Sequence, residues 1–504
     1  MASSRKSAGA VGKGLASKSL LNVLFVASVI LLSIPIVYLI ANSRIFMAIG
    51  ILAGLIGIAV GFICFINVEL GFLVCFVFCS SIFLMSRLAG TDLPYGAARD
   101  AILLILFVGI LVQRIKKKAK VDWSLNNPVT IVLIIYTTYL LIQFFNPSGT
   151  IDGWLFGIRG YLSYLIAYFI ILNLFKDYKY FIRFTKLWMA VALLGALYAF
   201  YQEIMGLPGF DLRWVTATEA RIGLNFIQGK WRKWSFFSDS ASFGLIMAFS
   251  SVYFIVLALG PFSFRKRAFL MACGLLILVA MTFSGTRTAY AIVPAGFVLY
   301  VMLTINSKRT LIISAVMAGL LVVVIFGPFQ GKTINRVRSA FRPQEEASME
   351  VRDINRARIQ PYIHSHPIGG GLVTAGEPGK RFSPNHPLAG FPPDSFYLES
   401  ALEQGWIGLF LHLAIYFTVL ATSIKNFYKT KNEKIRYFYL AQIAAFFSLT
   451  IGAYAKTNIA QLPTGLILMA VYAAADKLVS YEKQIEEEET EPTTEKQLDL
   501  FESN

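Results

Sequence analysis

The run Ala101-Ile-Leu-Leu-Ile-Leu-Phe-Val-Gly-Ile-Leu-Val112, closed by Gln113-Arg-Ile-Lys-Lys-Lys-Ala-Lys120, decides the fold class. It ends an apolar stretch near 97–113 that can cross a hydrocarbon core as a helix, and the basic cluster stops it at the water boundary. The apolar residues are continuous rather than alternating, which disfavours a β-barrel. Similar runs recur along the chain. Windows of about nineteen residues give about fourteen spans. The first seven lie near 20–41, 45–66, 70–88, 97–113, 127–145, 160–175 and 187–205. Four more fall near 239–259, 268–285, 288–305 and 310–328, and three near 404–423, 437–455 and 459–476.

Composition agrees. The 504 residues are 56 % hydrophobic with 42 Phe, and the mean hydropathy is +0.62; soluble domains are less apolar. The net charge of +17 has the sign of a nucleic-acid binder, but its distribution excludes that reading. Basic residues cluster before the first span and in the alternate short loops Arg114–Lys120, Lys176–Lys186, Arg265–Arg267, Lys308–Arg309 and Lys425–Arg436. The positive-inside rule then predicts two cytoplasmic termini, with the loops 206–238 and 329–403 facing outward. The expected organisation is spans one to eleven over 1–328, a large outer loop over 329–403, spans twelve to fourteen over 404–477, and an acidic tail over 478–504. Cys64, Cys75, Cys79 and Cys273 all sit in apolar runs and read as packing residues. The apolar run 20–41 is too long for a signal-peptide core and reads as a retained first span.

The stretch 329–403 is the least lipid-compatible part of the chain. It holds six arginines between Arg336 and Arg358 and three of the four histidines, His364, His366 and His386. Val351, Ile354, Ala357, Ile359 and Ile363 fall on one face of a helix over Glu345–Tyr362, ended by Pro361 and the turn His366-Pro-Ile-Gly-Gly-Gly371. A second helix starts at Asp394 or Ser395, either of which can cap it, and carries Glu399 and Glu403 one turn apart.

Arginines placed repeatedly on the outer face suit phosphate, which matches the guanidinium fork. Arg213, Arg221, Lys230, Arg232 and Lys233 lie in the 206–238 loop. Arg287, in Ser284-Gly-Thr-Arg-Thr-Ala289, stands at a span edge beside a tight turn whose backbone N–H groups suit an anion. Arg159 opens the sixth span, where it reads first as a lipid-headgroup contact and second as an anion ligand. Arg44, Arg87 and Arg99 read as side chains snorkelling at outer span ends.

In order, Arg221, Phe237-Ser-Asp-Ser-Ala-Ser-Phe-Gly244, the Ser-Gly-Thr-Arg-Thr-Ala turn, the Arg-bearing loop helix, His366-Pro-Ile-Gly-Gly-Gly and Asp394-Ser-Phe-Tyr-Leu-Glu-Ser-Ala-Leu-Glu-Gln-Gly-Trp-Ile-Gly-Leu resemble the O-antigen ligase and O-antigen polymerase superfamily of bacterial membrane glycosyltransferases. The resemblance covers about 221–412. It implies an all-α polytopic C-type glycosyltransferase whose donor is a glycan on undecaprenyl diphosphate and whose acceptor is another glycan or lipid A-core. It also implies that Arg221 and Arg287 bind the diphosphate. Ligases carry a histidine where this chain has Asp394-Ser395, which favours the polymerase branch, with the ligase as the alternative.

Further diphosphate candidates are Arg352, Arg356, Arg232 and Arg159. Asp394, His386 and Glu399 are the candidates to take the acceptor proton. No Asp-x-Asp pair occurs in the outer loops, so transfer without a metal or other cofactor is expected; His364 and His366 lack a third ligand. A lipid-linked oligosaccharide flippase is the rival class, but no internal repeat of the transporter kind is visible.

Overall fold

The computed structural model describes residues 45–90, 95–227, 229–328, 332–339, 341, 347–457 and 459–486. The expected first span at 20–41 lies outside the described residues, as do Arg44 and most of the acidic tail. Helices α1 (Ile45–Ile66), α2 (Val68–Ala89), α3 (Tyr95–Lys116), α4 (Pro128–Ile142), α5 (Ile151–Leu174) and α6 (Tyr178–Ile204) open the chain. Next come α7 (Gly209–Thr216), α8 (Glu219–Asn225) and a short hairpin of β1 (Phe226–Ile227) with β2 (Lys230–Trp231). Then follow α9 (Ser240–Ala258), α10 (Phe264–Thr282), α11 (Arg287–Thr304), α12 (Lys308–Phe326), α13 (Lys332–Ser339), α14 (Ala347–Ser365), α15 (Gly376–Phe382), α16 (Phe396–Lys429), α17 (Glu433–Gly452) and α18 (Thr464–Lys477). The chain divides between Gly71 and Phe72 into two compact units, and the second holds the helices from α3 onward.

Among the described residues nine helices are long and apolar enough to cross a membrane, so the protein is an all-α polytopic membrane protein. Two expected spans differ in detail. The run 268–285 forms α10, but Arg265, Lys266 and Arg267 occupy its first turn. The run 459–476 supplies a helix of only 14 residues, α18; the described residues between Gly452 and Thr464 form a non-helical connector. Irregular backbone at such a position is tolerated where it is buried in protein or lines a cavity.

Helix starts follow the sequence. Asn127 accepts from Val129 N (2.9 Å) with Pro128 at the first helical position of α4, and Asp239 accepts from Ala241 N and Ser242 N at the start of α9. Each side chain satisfies a helix-end donor that lacks an internal partner. Almost every residue of α9 is buried, packed against α10, α11 and α17. Small residues permit this. A Cβ on Gly274 would meet Ile255 Cγ1 at 2.6 Å, and one on Gly296 would meet the Ala444 carbonyl oxygen at 2.8 Å. On α16, Phe410 and Phe417 remain 70 % and 73 % exposed, as suits a face turned to lipid.

The loop helices also depart from expectation. Helix α14 continues through Pro361 to Ser365 instead of stopping there, and Ser365 Oγ donates back to the Pro361 carbonyl (2.9 Å). Ser395, not Asp394, caps α16, accepting from Leu398 N (3.5 Å). Asp394 stands just before it in the left-handed region, at φ +53°.

The feature that sets the site is a backbone crossing. Helix α16 is broken at Gly405 (φ +69°), and the Gly-rich turn lies in the break. Gly370 N donates to Leu402 O (2.8 Å), Gly371 N to Glu403 O (2.9 Å) and Trp406 N to Pro367 O (2.9 Å). From the other side, Gln143 Nε2 donates to Ile368 O (2.9 Å) and Asn146 Nδ2 to Gly369 O (3.1 Å). A Cβ on Gly369 (φ +76°) would lie 2.5 Å from Glu403 backbone atoms, and one on Gly405 would strike the Pro367 carbonyl. Gly405→Ala therefore combines a left-handed conformation, disfavoured by about 1–2 kcal/mol for a residue with a side chain, with a backbone collision. It should lower the thermal unfolding temperature in detergent, whereas Gly223→Ala, where an added Cβ meets nothing within 4 Å, should leave it close to wild type.

Candidate active site

A cavity of about 490 Å³ lies among α3, α4, α5, α16, α18 and the 453–463 connector, beside Leu372, Val373 and Ala375. On one side Asp100 holds two arginines. Arg99 donates to its Oδ1 through Nε (2.9 Å) and Nη2 (2.6 Å), Ser163 Oγ donates to the same oxygen (2.6 Å), and Arg159 Nε lies 3.3 Å from Oδ2. Arg99 is buried over the Tyr164 ring, while the Arg159 side chain is 49 % exposed. One carboxylate thus fixes a buried cation and a second cation that borders the cavity.

The facing wall is the first part of α16. Glu399 and Glu403 both line the cavity, but they are used differently. Glu403 accepts from Val373 N (2.9 Å) and Ala375 N (3.0 Å), so its carboxylate fastens the chain that follows the Gly-rich turn. Gln404 is bound by Tyr136, whose hydroxyl donates to Oε1 (2.7 Å), and by Tyr139 through its carbonyl. His412 Nδ1 is 3.3 Å from the same Tyr136 hydroxyl. Glu399 is the cavity carboxylate not committed to those backbone amides.

A second cavity of about 210 Å³ is lined by Arg87, Arg221, Trp214, Ser238 and Asp239. Phe83 and Gln461 line both cavities, which therefore adjoin. Arg221 lies over the Trp214 ring, 4.8 Å from its centroid, and donates to the Trp214 carbonyl (3.2 Å). Arg87 is buried, with Nε 2.8 Å from Asp211 and further bonds to the carbonyls of Ser235 (2.6 Å) and Phe237 (2.8 Å). Arg87 and Arg99 are therefore buried and paired with carboxylates rather than snorkelling to water. A partner within the bundle makes an ionised group tolerable there.

The remaining predicted residues sit elsewhere. Arg287 is the first residue of α11 and half-buried. The turn before it is not an open set of amides: Ser284, Gly285 and Thr286 N–H donate to Met281 O, Thr282 O and Ser284 Oγ. Arg232 braces that turn, donating to Ser284 O (2.8 Å), Thr286 Oγ1 (2.8 Å) and Leu224 O (2.9 Å). Arg356 donates to the Tyr454 hydroxyl (2.7 Å), tying α14 to the connector. The Arg352 side chain lies outside the described residues. Asp394 and His386 are not among the residues lining either cavity.

His386 belongs to a cluster within the loop. Its Nδ1 accepts from Leu388 N (3.1 Å), its Nε2 is 3.4 Å from the Tyr362 hydroxyl, and Tyr362 stacks on His366 at 4.0 Å. Among the described residues no three His, Cys, Asp or Glu side chains form a metal-binding cluster.

Several site residues escaped sequence reasoning, namely Tyr136, His412 and Gln461 in the cavity lining and Asp100, which pairs with the lining residues Arg99 and Arg159. A signal existed for Asp100, since an adjacent Arg-Asp pair inside an apolar run is costly unless it serves a purpose. Gln461 carried none.

The fold and cavities define a helical membrane protein with cations and carboxylates around adjoining compartments. Residues 269–413 match the family model described as O-antigen ligase, which supports assignment to the O-antigen ligase/polymerase superfamily and to surface-polysaccharide glycosyl transfer in general. The match spans the Arg287 turn, the Gly-rich crossing and Glu399; Arg99, Arg159, Arg221 and Gln461 fall outside it. No curated protein matches the chain.

Burial, with a smaller contribution from the charge of His366, lowers the His386 pKa below the usual imidazole value. The unfolded chain then takes up the proton first, so the stability His386 contributes is present above its unfolded pKa of about 6.5 and lost as pH falls below it. Wild-type protein should lose more thermal stability between pH 7.5 and pH 5.5 than a His386→Gln variant, measured by thermal scans in detergent.

Proposed function

We propose that the protein is a glycosyltransferase of surface-polysaccharide assembly that polymerises glycan repeat units carried on undecaprenyl diphosphate, at the outer face of the bacterial inner membrane. The observation that carries this reading is the pair of adjoining cavities, with Arg221 bordering one and Glu399 and Arg159 bordering the other. Both termini are then cytoplasmic and the 329–403 loop periplasmic, covering the site through the crossing at Gly405.

In the proposed reaction a hydroxyl of the acceptor glycan attacks the anomeric carbon of the donor. The new C–O bond forms as the bond from that carbon to the diphosphate oxygen breaks, and undecaprenyl diphosphate leaves with the electron pair. Glu399 takes the hydroxyl proton. Negative charge grows on the leaving diphosphate, where the guanidinium groups of Arg221 and Arg159, which border the cavities, stabilise it together with Arg287, which borders neither. Fixed donors aimed at developing charge in a dry site contribute about 2.7–4 kcal/mol each in well-studied enzymes. Arg232 and Arg356 act indirectly, one by bracing the turn before Arg287 and the other by tethering the connector. Asp394, where ligases carry a histidine, favours repeat-unit polymerisation over transfer to lipid A-core.

The glycan phenotype of a deletion strain tests the branch. Single-repeat chains on lipid A support polymerisation, and long chains accumulating on undecaprenyl diphosphate indicate ligation instead. Glu399→Gln should reduce transfer by about 10²–10⁴-fold, the usual contribution of a general base. Arg287→Ala should abolish transfer while the protein still inserts and unfolds at the wild-type temperature; wild-type polymer levels from it would remove Arg287 from the mechanism.

A further inference from the structure

Gln461 sits on the non-helical connector between α17 and α18, and it is the polar member of the two residues that line both cavities. Its side chain is anchored. Gln461 Oε1 lies 2.8 Å from Ser242 Oγ, which is 2.6 Å from Asp239 Oδ2 and 2.7 Å from Lys456 Nζ. Lys456 Nζ closes the network on Asp239 Oδ1 at 2.9 Å. The connector itself is pinned on another side, where the Tyr164 hydroxyl donates to Ala460 O (2.6 Å). One end of the Gln461 amide is thus fixed, and the other has no protein partner among the described residues.

That placement is a junction. A substrate that reaches from the arginine of the smaller cavity to the carboxylate of the larger one crosses the boundary lined by Gln461 and Phe83. With glycosyl transfer as the underlying reaction, we propose that Gln461 binds the donor sugar at the point where the two compartments meet, holding its ring so that the anomeric carbon faces the acceptor. The ligand group is a sugar hydroxyl, which both donates and accepts and so fits either end of a carboxamide. The same contact makes Gln461 selective for a donor sugar with a polar substituent at that position. A site built to hydrogen-bond a hydroxyl discriminates strongly against an analogue that lacks it.

The test uses the full chain in vesicles that carry the producing strain's own lipid-linked repeat units, with inorganic pyrophosphate as an independent probe of the arginine compartment. Gln461→Met, similar in size but unable to hydrogen-bond as an amide does, should lower kcat by about 10–100-fold, as misplacement of a reacting group does. Inhibition by pyrophosphate should stay at the wild-type level. Gln461→Glu keeps a hydrogen-bonding end but places a second carboxylate near Asp239, so it should retain more turnover than Gln461→Met. A purely structural role predicts the reverse ranking, because the added carboxylate would repel. Wild-type kcat in Gln461→Met, or that reverse ranking, overturns the proposal. Wild-type protein that transfers no glycan from a lipid diphosphate overturns the reaction itself.

Discussion

The structure depends on the contact between two stretches of backbone, Pro367–Gly371 and Leu402–Trp406. Their N–H and C=O groups satisfy one another at a point where α16 cannot continue its own hydrogen-bond ladder. Buried backbone groups must find partners somewhere, and more strictly so in or near a bilayer. Only glycine allows the approach, since Gly369 and Gly405 combine positive φ with no room for a Cβ. The crossing fixes the start of α16, and with it the position of Glu399. Through the Glu403 carboxylate it also fixes the chain at Val373 and Ala375 that borders the larger cavity.

Charge in this bundle is arranged in pairs before any substrate arrives. Arg87 with Asp211 and Arg99 with Asp100 bury guanidinium groups that would be expensive alone. Desolvating an ion costs several kcal/mol, and a partner with good geometry offsets much of it. The consequence for the site is directional. Asp100 is occupied by Arg99 and Ser163, so Arg159 reaches it from the cavity side with half its side chain still exposed. Arg221 is placed differently, against the Trp214 ring and carbonyl rather than a carboxylate. It retains more capacity to respond to an anion.

The connector at 453–463 joins these parts. It meets α14 through Tyr454 and Arg356, α9 through Lys456 and Asp239, and α5 through Ala460 and Tyr164. It also receives the first amide of α16, as Phe396 N donates to Ala453 O (3.0 Å). A regular helix spends its backbone groups on itself; this segment leaves some of them for neighbouring elements.

Hydrophobic length and the order of short motifs were sufficient for a polytopic helical membrane protein and for its likeness to the O-antigen ligase family. Those properties depend on local composition, because a bilayer imposes nearly the same demand on every spanning segment. The loop helix and the helix carrying Glu399 were legible from local signals too, although Ile354 on the expected apolar face of the first is 59 % exposed. What the sequence could not state was which charged groups meet. Arg87 and Asp211, or Asp239 and Lys456, are distant in the chain, and no periodicity connects them. The Asp239 that caps α9 is also an ion-pair partner, and the last apolar run hides a connector that its hydropathy does not distinguish from helix. Only the tertiary structure decided these, because pairing of buried charges and crossing of backbones depend on distance in space, which local sequence does not encode.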